Sequence, residues 1–332
     1  MLICKECFAD DELRAEVESN ATTDGVCEVC GTKGRLIDFS YFADFFNAVL
    51  LLFEPNTEGR TIVEVLQDEW HLFQDNRIAR VILNSVLCSS NYGYSVDSHV
   101  SYSFRIKQRV LVWNRLKESV KHKSRFFTDI DELVRYKYLE TNEGLRTGIK
   151  LFRSRVLPPY RKKFSHEEMG CPPPLLASAG RANPLGIPYL YLSESAKTTY
   201  FEVRAVYLDR LSVGTFRVVR NLHLVDFKYD VNLFVAFTDG SMSLEEVVIK
   251  KKVINAISAD LSKPLRRYDS ELEYVPTQLI CEFCKEYIEA DGICFKSSLY
   301  ADGMNYVLFD PQDAQCIRVS THEITKIDID RK

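Results

Sequence analysis

The chain has 332 residues, 46% of them hydrophobic and 27% charged, with a formal charge of −4 at pH 7. That length suits two or three domains with a sizeable core, and the mild acidity argues against a general binder of polyanions while leaving room for a local basic site. No apolar run reaches the ~18 residues of a membrane span, and the start MLICKECFADDELR lacks the basic-then-apolar order of a secretory leader. The ten cysteines include two close pairs near the start and others scattered among apolar residues. That usage reads as metal binding plus buried thiols in a reducing compartment, so a cytoplasmic protein is expected.

Residues 1–38 have their own character. Cys4-Lys-Glu-Cys7 and Cys27-Glu-Val-Cys30 are two CxxC knuckles, and Gly31 follows the second, where such a turn favours a positive φ. Each knuckle offers two sulfurs on one tight turn, and zinc accepts four in a tetrahedron, so Cys4, Cys7, Cys27 and Cys30 are expected to hold zinc. Four protein ligands leave no open position, which makes such a site structural. The plainer alternative is four unrelated thiols.

Residues 39–145 turn helical in pattern. SYFADFFNAVLLLF, TIVEVLQDEWHLF, NRIARVILNSVL and FRIKQRVLVWNRLKESV each place apolar residues at three- and four-residue steps. Asn56, Asn76 and the run SSNYGYS separate the pieces, which predicts a helical domain of four or five helices. Arg115 and His122 in RLKESVKH lie two turns apart and so share a face. An Arg–His pair on a helix can cut RNA; charged helix faces also produce such pairs by chance, and that is the plainer reading.

From residue 146 to 332 the texture changes again. IPYLYLS, TFRVV, LHLVDF and NYVLF read as short strands, with helices between them in SLEEVVIKKKVINAI and in VPTQLICEFCKEYI, where Pro276 suits a first helical turn. A third CxxC, Cys281 and Cys284, lies within this last helix among Ile280, Phe283 and Ile288, and reads as core thiols. The whole chain is therefore expected to be α+β: a zinc knuckle, a helical middle and a mixed α/β C-terminal domain.

Within the last segment, GRANPLGIPYLYLSESAKTTYFE places Arg181 before a strand over Ile187–Ser193 and Glu202 one helix later, with Ser193 or Ser195 as the helix cap. Read locally, Arg181 is equally a turn stabiliser, Tyr191 a core residue and Glu202 a solvated helix charge.

KLFRSRV, EEMGCPPP, AGRANPLGIPYLYLSESAKTTYFEVRA, YVPTQ and GICFKSSLYADGMNYVLFDP follow one another in an order and spacing that resembles the RES domain family, named for an arginine, a glutamate and a serine. The N-terminal part is similar to the zinc-knuckle and HEPN-like helical region of a subset of that family. Ala182 departs from the pattern, since family members usually carry a larger residue there, which implies an altered pocket wall. The resemblance implies a fold like that of ADP-ribosyltransferases and a toxin-type enzyme that cleaves the nicotinamide–ribose bond of NAD. The ADP-ribosyl group would pass to water, phosphate or a macromolecule. An antitoxin or trigger protein is the implied partner; a nucleic acid or a membrane is not expected.

On the family pattern the site residues are Arg181, Tyr191, Glu202 and Ser297, with Ser298 as the neighbouring alternative and Arg153 as an additional arginine. Their types suit the chemistry. A planar guanidinium grips a pyrophosphate through paired, charge-assisted hydrogen bonds, the role implied for Arg181 and Arg153. Glu202 would stabilise a ribosyl cation electrostatically. Tyr191 would flank the nicotinamide or ribose, and Ser297 would hold the ribose or the amide. A ribonuclease centred on Arg115 and His122, with the C-terminal domain as sensor, is the alternative.

Overall fold

The computed structural model describes residues 1–89, 92–263, 271–300 and 302–326. Ser90 and Asn91, in the run expected to separate two helices, lie outside the described residues, as do Ala301 and the last six residues of the 146–332 segment. The chain divides into two compact units, Met1–Leu111 with Asp230–Lys252, and Val112–Tyr229 with Val253–Lys332.

In the first unit, strand β1 (Leu2–Ile3) leads to helix α1 (Asp11–Asn20), and strands β2 (Thr23–Val26) and β3 (Lys33–Asp38) complete an antiparallel sheet of order β1-β3-β2. Asp10 caps α1, accepting from the backbone N–H groups of Glu12 and Leu13 at 3.0 and 2.9 Å. Then come α2 (Ala43–Leu50), β4 (Phe53–Thr61), α3 (Ile62–Trp70), α4 (Asn76–Leu87), β5 (His99–Tyr102) and α5 (Phe104–Val110). Helix α4 is NRIARVILNSVL itself: Asp75 caps it, and Ile78, Ala79, Ile82, Leu83 and Val86 are buried at helical spacing. Phe8, Phe42, Phe46 and Phe73, from three separate segments, pack at ring distances of 5.6–6.4 Å, and Phe234 joins them.

This stretch is not helical throughout. β4 and β5 pair antiparallel, with Phe53 opposite Tyr102 and their rings 4.6 Å apart. The pairing jumps between Pro55 and Arg60. Pro55, Asn56 and Gly59 fill that irregularity, and such residues read as a turn rather than a strand.

The second unit begins with α6 (Val112–His122) and α7 (Asp131–Tyr136), followed by β6 (Thr141–Leu145), β7 (Lys150–Val156), α8 (His166–Met169), β8 (Leu190–Ser193), α9 (Ala196–Glu202), β9 (Arg210–Val218) and β10 (Leu222–Asp226). α10 (Leu233–Asp239) and the first part of α11 (Leu244–Ser262) belong to the first unit, and the second continues with α12 (Val275–Glu286), β11 (Gly292–Lys296), β12 (Met304–Leu308) and β13 (Ala314–Glu323). Among the described residues, eight strands form one sheet of order β13-β9-β7-β8-β12-β11-β10-β6. The β10–β11 pair is parallel, and the other pairs are antiparallel. One face buries Leu151, Leu190, Leu192, Phe216, Leu224 and Leu308.

Strand β8 is shorter than the alternation of Ile187–Ser193 predicts. Ile187 donates its N–H to the Pro184 carbonyl, closing a turn, and Pro188 has no N–H to give a ladder. Cys281 and Cys284 are buried core thiols of α12, and burial pushes both well up from the ordinary thiol range. No helix of the described residues is long and apolar enough to cross a membrane.

Candidate active site

A cleft of about 360 Å³ opens on the sheet of the second unit, a size within the range of small-ligand sites. Its floor is a row across four neighbouring strands. Phe152 of β7 is paired with Ser193 of β8, Ser193 with Asn305 of β12, and Asn305 with Phe295 of β11. Directly paired residues share a face of a sheet, so the row presents two polar side chains between two phenyl rings, and all four line the cleft.

Helix α9 brings the glutamate. Ser195 caps it, accepting from the Thr198 N–H at 3.1 Å, and Glu202 is its last residue. Glu202 Oε1 accepts from Ser297 Oγ at 2.6 Å and from Asn305 Nδ2 at 2.7 Å. Oε2 has no hydrogen-bond partner among the described residues. Hydrogen bonds to a charged group are worth ~1.5–3 kcal/mol each, against ~1–2 kcal/mol to fix a glutamate side chain. Two of them therefore hold this carboxylate in one place. Ser193 Oγ donates to Asn305 Oδ1 at 2.7 Å, while the amide nitrogen faces Glu202, which can only accept.

Loop 177–187 brings the arginine. The Tyr191 hydroxyl accepts from the Ala182 N–H at 3.1 Å and donates to Asn183 Oδ1 at 2.7 Å. Asn183 Nδ2 in turn donates to the carbonyls of Ser178 and Pro184. A Cβ on Gly180 would fall 2.5 Å from Asn183 Oδ1 and 2.7 Å from the Tyr191 hydroxyl, so only glycine fits. From α12, Thr277 donates to the Arg181 carbonyl at 2.6 Å and Gln278 to the Gly180 carbonyl at 2.8 Å. Arg181 itself donates to the Leu261 carbonyl at 2.8 Å, at the C-terminal end of α11, where the helix dipole favours a cation. Burial pushes its guanidinium below the usual range, and attraction from Tyr274 and Glu202 opposes that shift.

Arg153 enters from β7 and lines the same cleft. It and Arg155 both donate to the Gly170 carbonyl, at 3.1 and 2.7 Å, and neither is ion-paired among the described residues. Burial, and then the neighbouring Arg155, push Arg153 down. The Nε of Arg155 is buried without a partner. Two crowded guanidinium groups sharing one carbonyl form a surface that an anion would relieve.

Arg153, Arg181, Tyr191, Glu202 and Ser298 thus meet at one cleft. Ser297 is 6% exposed and spends its hydroxyl on Glu202, so it supports the glutamate from beneath, whereas Ser298 is at the mouth and donates to the Ser262 carbonyl. Tyr191 reaches the cleft with its ring while its hydroxyl locks the Arg181 loop. Ala182 is a buried wall residue. Arg115 and His122 do not line this cleft; Arg115 is ion-paired to Glu132 at 2.6 Å. Ser193 and Asn305 also line the cleft, and the sequence pattern does not single them out: Ser193 closes strand β8 and Asn305 is the second residue of β12.

In the first unit, the sulfurs of Cys4, Cys7, Cys27 and Cys30 all lie within 4.8 Å of one another, with Cys4–Cys30 at 3.4 Å and Cys7–Cys27 at 3.5 Å. Zinc–sulfur bonds of ~2.3 Å place the corners of a tetrahedron about 3.8 Å apart, so the four thiols fit a metal of that kind. Gly31 has the positive φ, 77°, expected of the second knuckle.

The cleft of this mixed sheet gathers an arginine, a glutamate and a supporting serine from three separate segments into one candidate small-molecule site. The RES domain matches residues 150–329, more than half of the chain, and the protein belongs to the RES domain family. No curated protein matches the sequence. The crystal structure of the M. tuberculosis MbcT–MbcA toxin–antitoxin complex contains a similar chain, with 15% identity and a TM-score of 0.31, over 59% of this chain and 93% of that one.

Proposed function

We propose that the protein is a toxin-type enzyme that cleaves the nicotinamide–ribose bond of NAD and so depletes the cell of it. Supporting this is the pairing of a positioned carboxylate with a half-buried guanidinium at one cleft. Glu202 is held through Oε1 by two donors while Oε2 is left for a ligand, and Arg181 in the same cleft is held by a bond to the Leu261 carbonyl.

The substrate's nicotinamide is a pyridinium and leaves as a neutral molecule, taking the electron pair of the C–N bond. No protein acid is needed for that departure. The ribose carbon gains cationic character, and the fixed charge of Glu202 stabilises it without moving at the moment of reaction. Arg181, with Arg153, would grip the pyrophosphate. Tyr191 offers its ring as a wall for the ribose or nicotinamide. Water or phosphate then forms the new bond to the ribose carbon and releases a proton; transfer to a macromolecule is the alternative acceptor. The four-cysteine knuckle would hold a structural zinc, and an antitoxin or trigger protein would restrain or release the enzyme.

The test is incubation of the full chain with NAD, with and without phosphate, and identification of every ADP-ribosyl product. Free nicotinamide with ADP-ribose, or with its phosphorylated form, supports the proposal. Intact NAD in the presence of folded protein overturns it.

A further inference from the structure

We infer that Asn305 and Ser193 form a relay of hydrogen bonds that positions Glu202 for the reaction, with Asn305 as a positioning residue that no family letter names. This rests on the reading of the cleft as the site of NAD cleavage. The observation behind it is a chain of four groups, Ser193 Oγ to Asn305 Oδ1 (2.7 Å), Asn305 Nδ2 to Glu202 Oε1 (2.7 Å) and Ser297 Oγ to the same oxygen (2.6 Å).

An asparagine amide can turn over, presenting either nitrogen or oxygen to a carboxylate, and the oxygen would repel it. Glu202, which can only accept, settles that choice by taking the amide nitrogen, and Ser193, which can donate or accept, completes the chain by donating to Oδ1. Ser193 and Asn305 are 3% and 8% exposed and stand on adjacent strands in direct register, so the pair cannot swing as a loop residue would. Glu202, by contrast, ends a seven-residue helix and is itself exposed. Without a donor from the sheet, its side chain would sample several rotamers over the mouth. Arg181, whose charge attracts it, and Arg153 are the cations that line the cleft with it.

A positioning role acts on turnover more than on affinity, because a correctly placed charge matters most where the ribosyl cation forms. Asn305→Ala should lower kcat for nicotinamide release by ~10–100-fold, with KM for NAD changed by less than about 3-fold. Ser193→Ala should cost less, and Ser193→Ala with Asn305→Ala should be no worse than Asn305→Ala alone, since both act through one bond.

Asn305→Asp gives the sharpest outcome. It replaces the donor with a second carboxylate at hydrogen-bond distance, and two such groups share one proton. Protonated, the introduced carboxyl donates as the amide does, so this variant should regain activity as pH falls from 7 toward 5, over a range where the parent does not.

The same contact has a readout independent of NAD. In Asn305→Asp the thermal midpoint should rise relative to the parent as pH falls, because the folded state holds a proton that the unfolded chain releases. Adding Glu202→Gln should abolish that rise. If the parent releases no nicotinamide, the NAD reading falls, and this unfolding comparison still decides the relay. A parent-like kcat for folded Asn305→Ala, additive losses in the double variant, or a pH-dependent midpoint that survives Glu202→Gln would overturn it.

Discussion

The ring of Phe201 lies flat on that of Tyr300, with centroids 5.2 Å apart and planes 6° apart. Lys197 Nζ covers the Tyr300 ring at 4.8 Å. Helix α9, which ends at Glu202, is thereby fastened to the segment that carries Ser297. An aromatic pair is worth ~0.5–1.5 kcal/mol beyond its buried area. Tyr300→Ala should therefore slow nicotinamide release by up to about 10-fold, while Tyr300→Phe keeps the parent rate. Steady-state rates for both variants, beside their thermal midpoints, check this; equal rates would show that α9 needs no such fastening.

Glu202→Gln keeps size and most hydrogen bonding and removes the charge. It should cut turnover by ~100-fold or more and leave NAD affinity nearly unchanged. Arg181→Ala should harm both, since a phosphate grip acts in the ground state too. Arg181→Lys should recover only part, because the planar fork is lost. Calorimetric NAD binding beside nicotinamide release separates the two residues. A parent rate in Glu202→Gln would reduce this glutamate to a surface charge.

One zinc per chain is expected by metal analysis, held by Cys4, Cys7, Cys27 and Cys30. Cys4→Ser with Cys27→Ser should release it and destabilise the first unit, since binding energy at such a site is folding energy. Cys281→Ser with Cys284→Ser should leave the zinc content at one. Zinc retained by the first pair of substitutions would refute the assignment.

Acid stability should depend on Arg220. Its guanidinium bonds Asp291 at 2.6 Å and Asp313 at 2.7 Å. At Asp291 burial acts upward, but Arg220 and the His223 N–H outweigh it and hold the carboxyl below its ordinary value. Such a group contributes stability above its unfolded value near ~4 that is lost as pH falls through the lower folded value. At Asp313 the same guanidinium is outweighed by burial, and the carboxyl stays raised. Arg220→Met leaves Asp313 buried without its cation, a penalty that protonation relieves. Both effects shrink the stability difference between parent and Arg220→Met as pH drops from about 6 to 3. Unfolding midpoints across that range check it, and a difference that widens toward acid would contradict it.

Helix α4 is legible in NRIARVILNSVL because cap, periodicity and length agree within one local stretch. The turn of Arg181 is legible in part: Asn183, Pro184 and Gly186 announce it, but the hydroxyl of Tyr191 that locks it does not announce itself. Strands β4 and β5 are hidden by the proline, asparagine and glycine of an irregular ladder. The residue types of the site follow from a family resemblance, whereas Ser297's position beneath the glutamate follows from packing. Asn305 and Ser193 were beyond reach for a geometric reason. They are 112 residues apart, and only the order β8-β12 in the sheet makes them neighbours.

That strand order also has a consequence for synthesis. β12 slots between β8 and β11, so the strand that supplies Asn305 must insert into the middle of the sheet rather than add to its edge. A chain still emerging from the ribosome can form helix α9 long before residue 305 is available. Until then Glu202 lacks its Asn305 donor. Any chemistry that depends on a fixed Glu202 must therefore wait for the strand that carries Asn305.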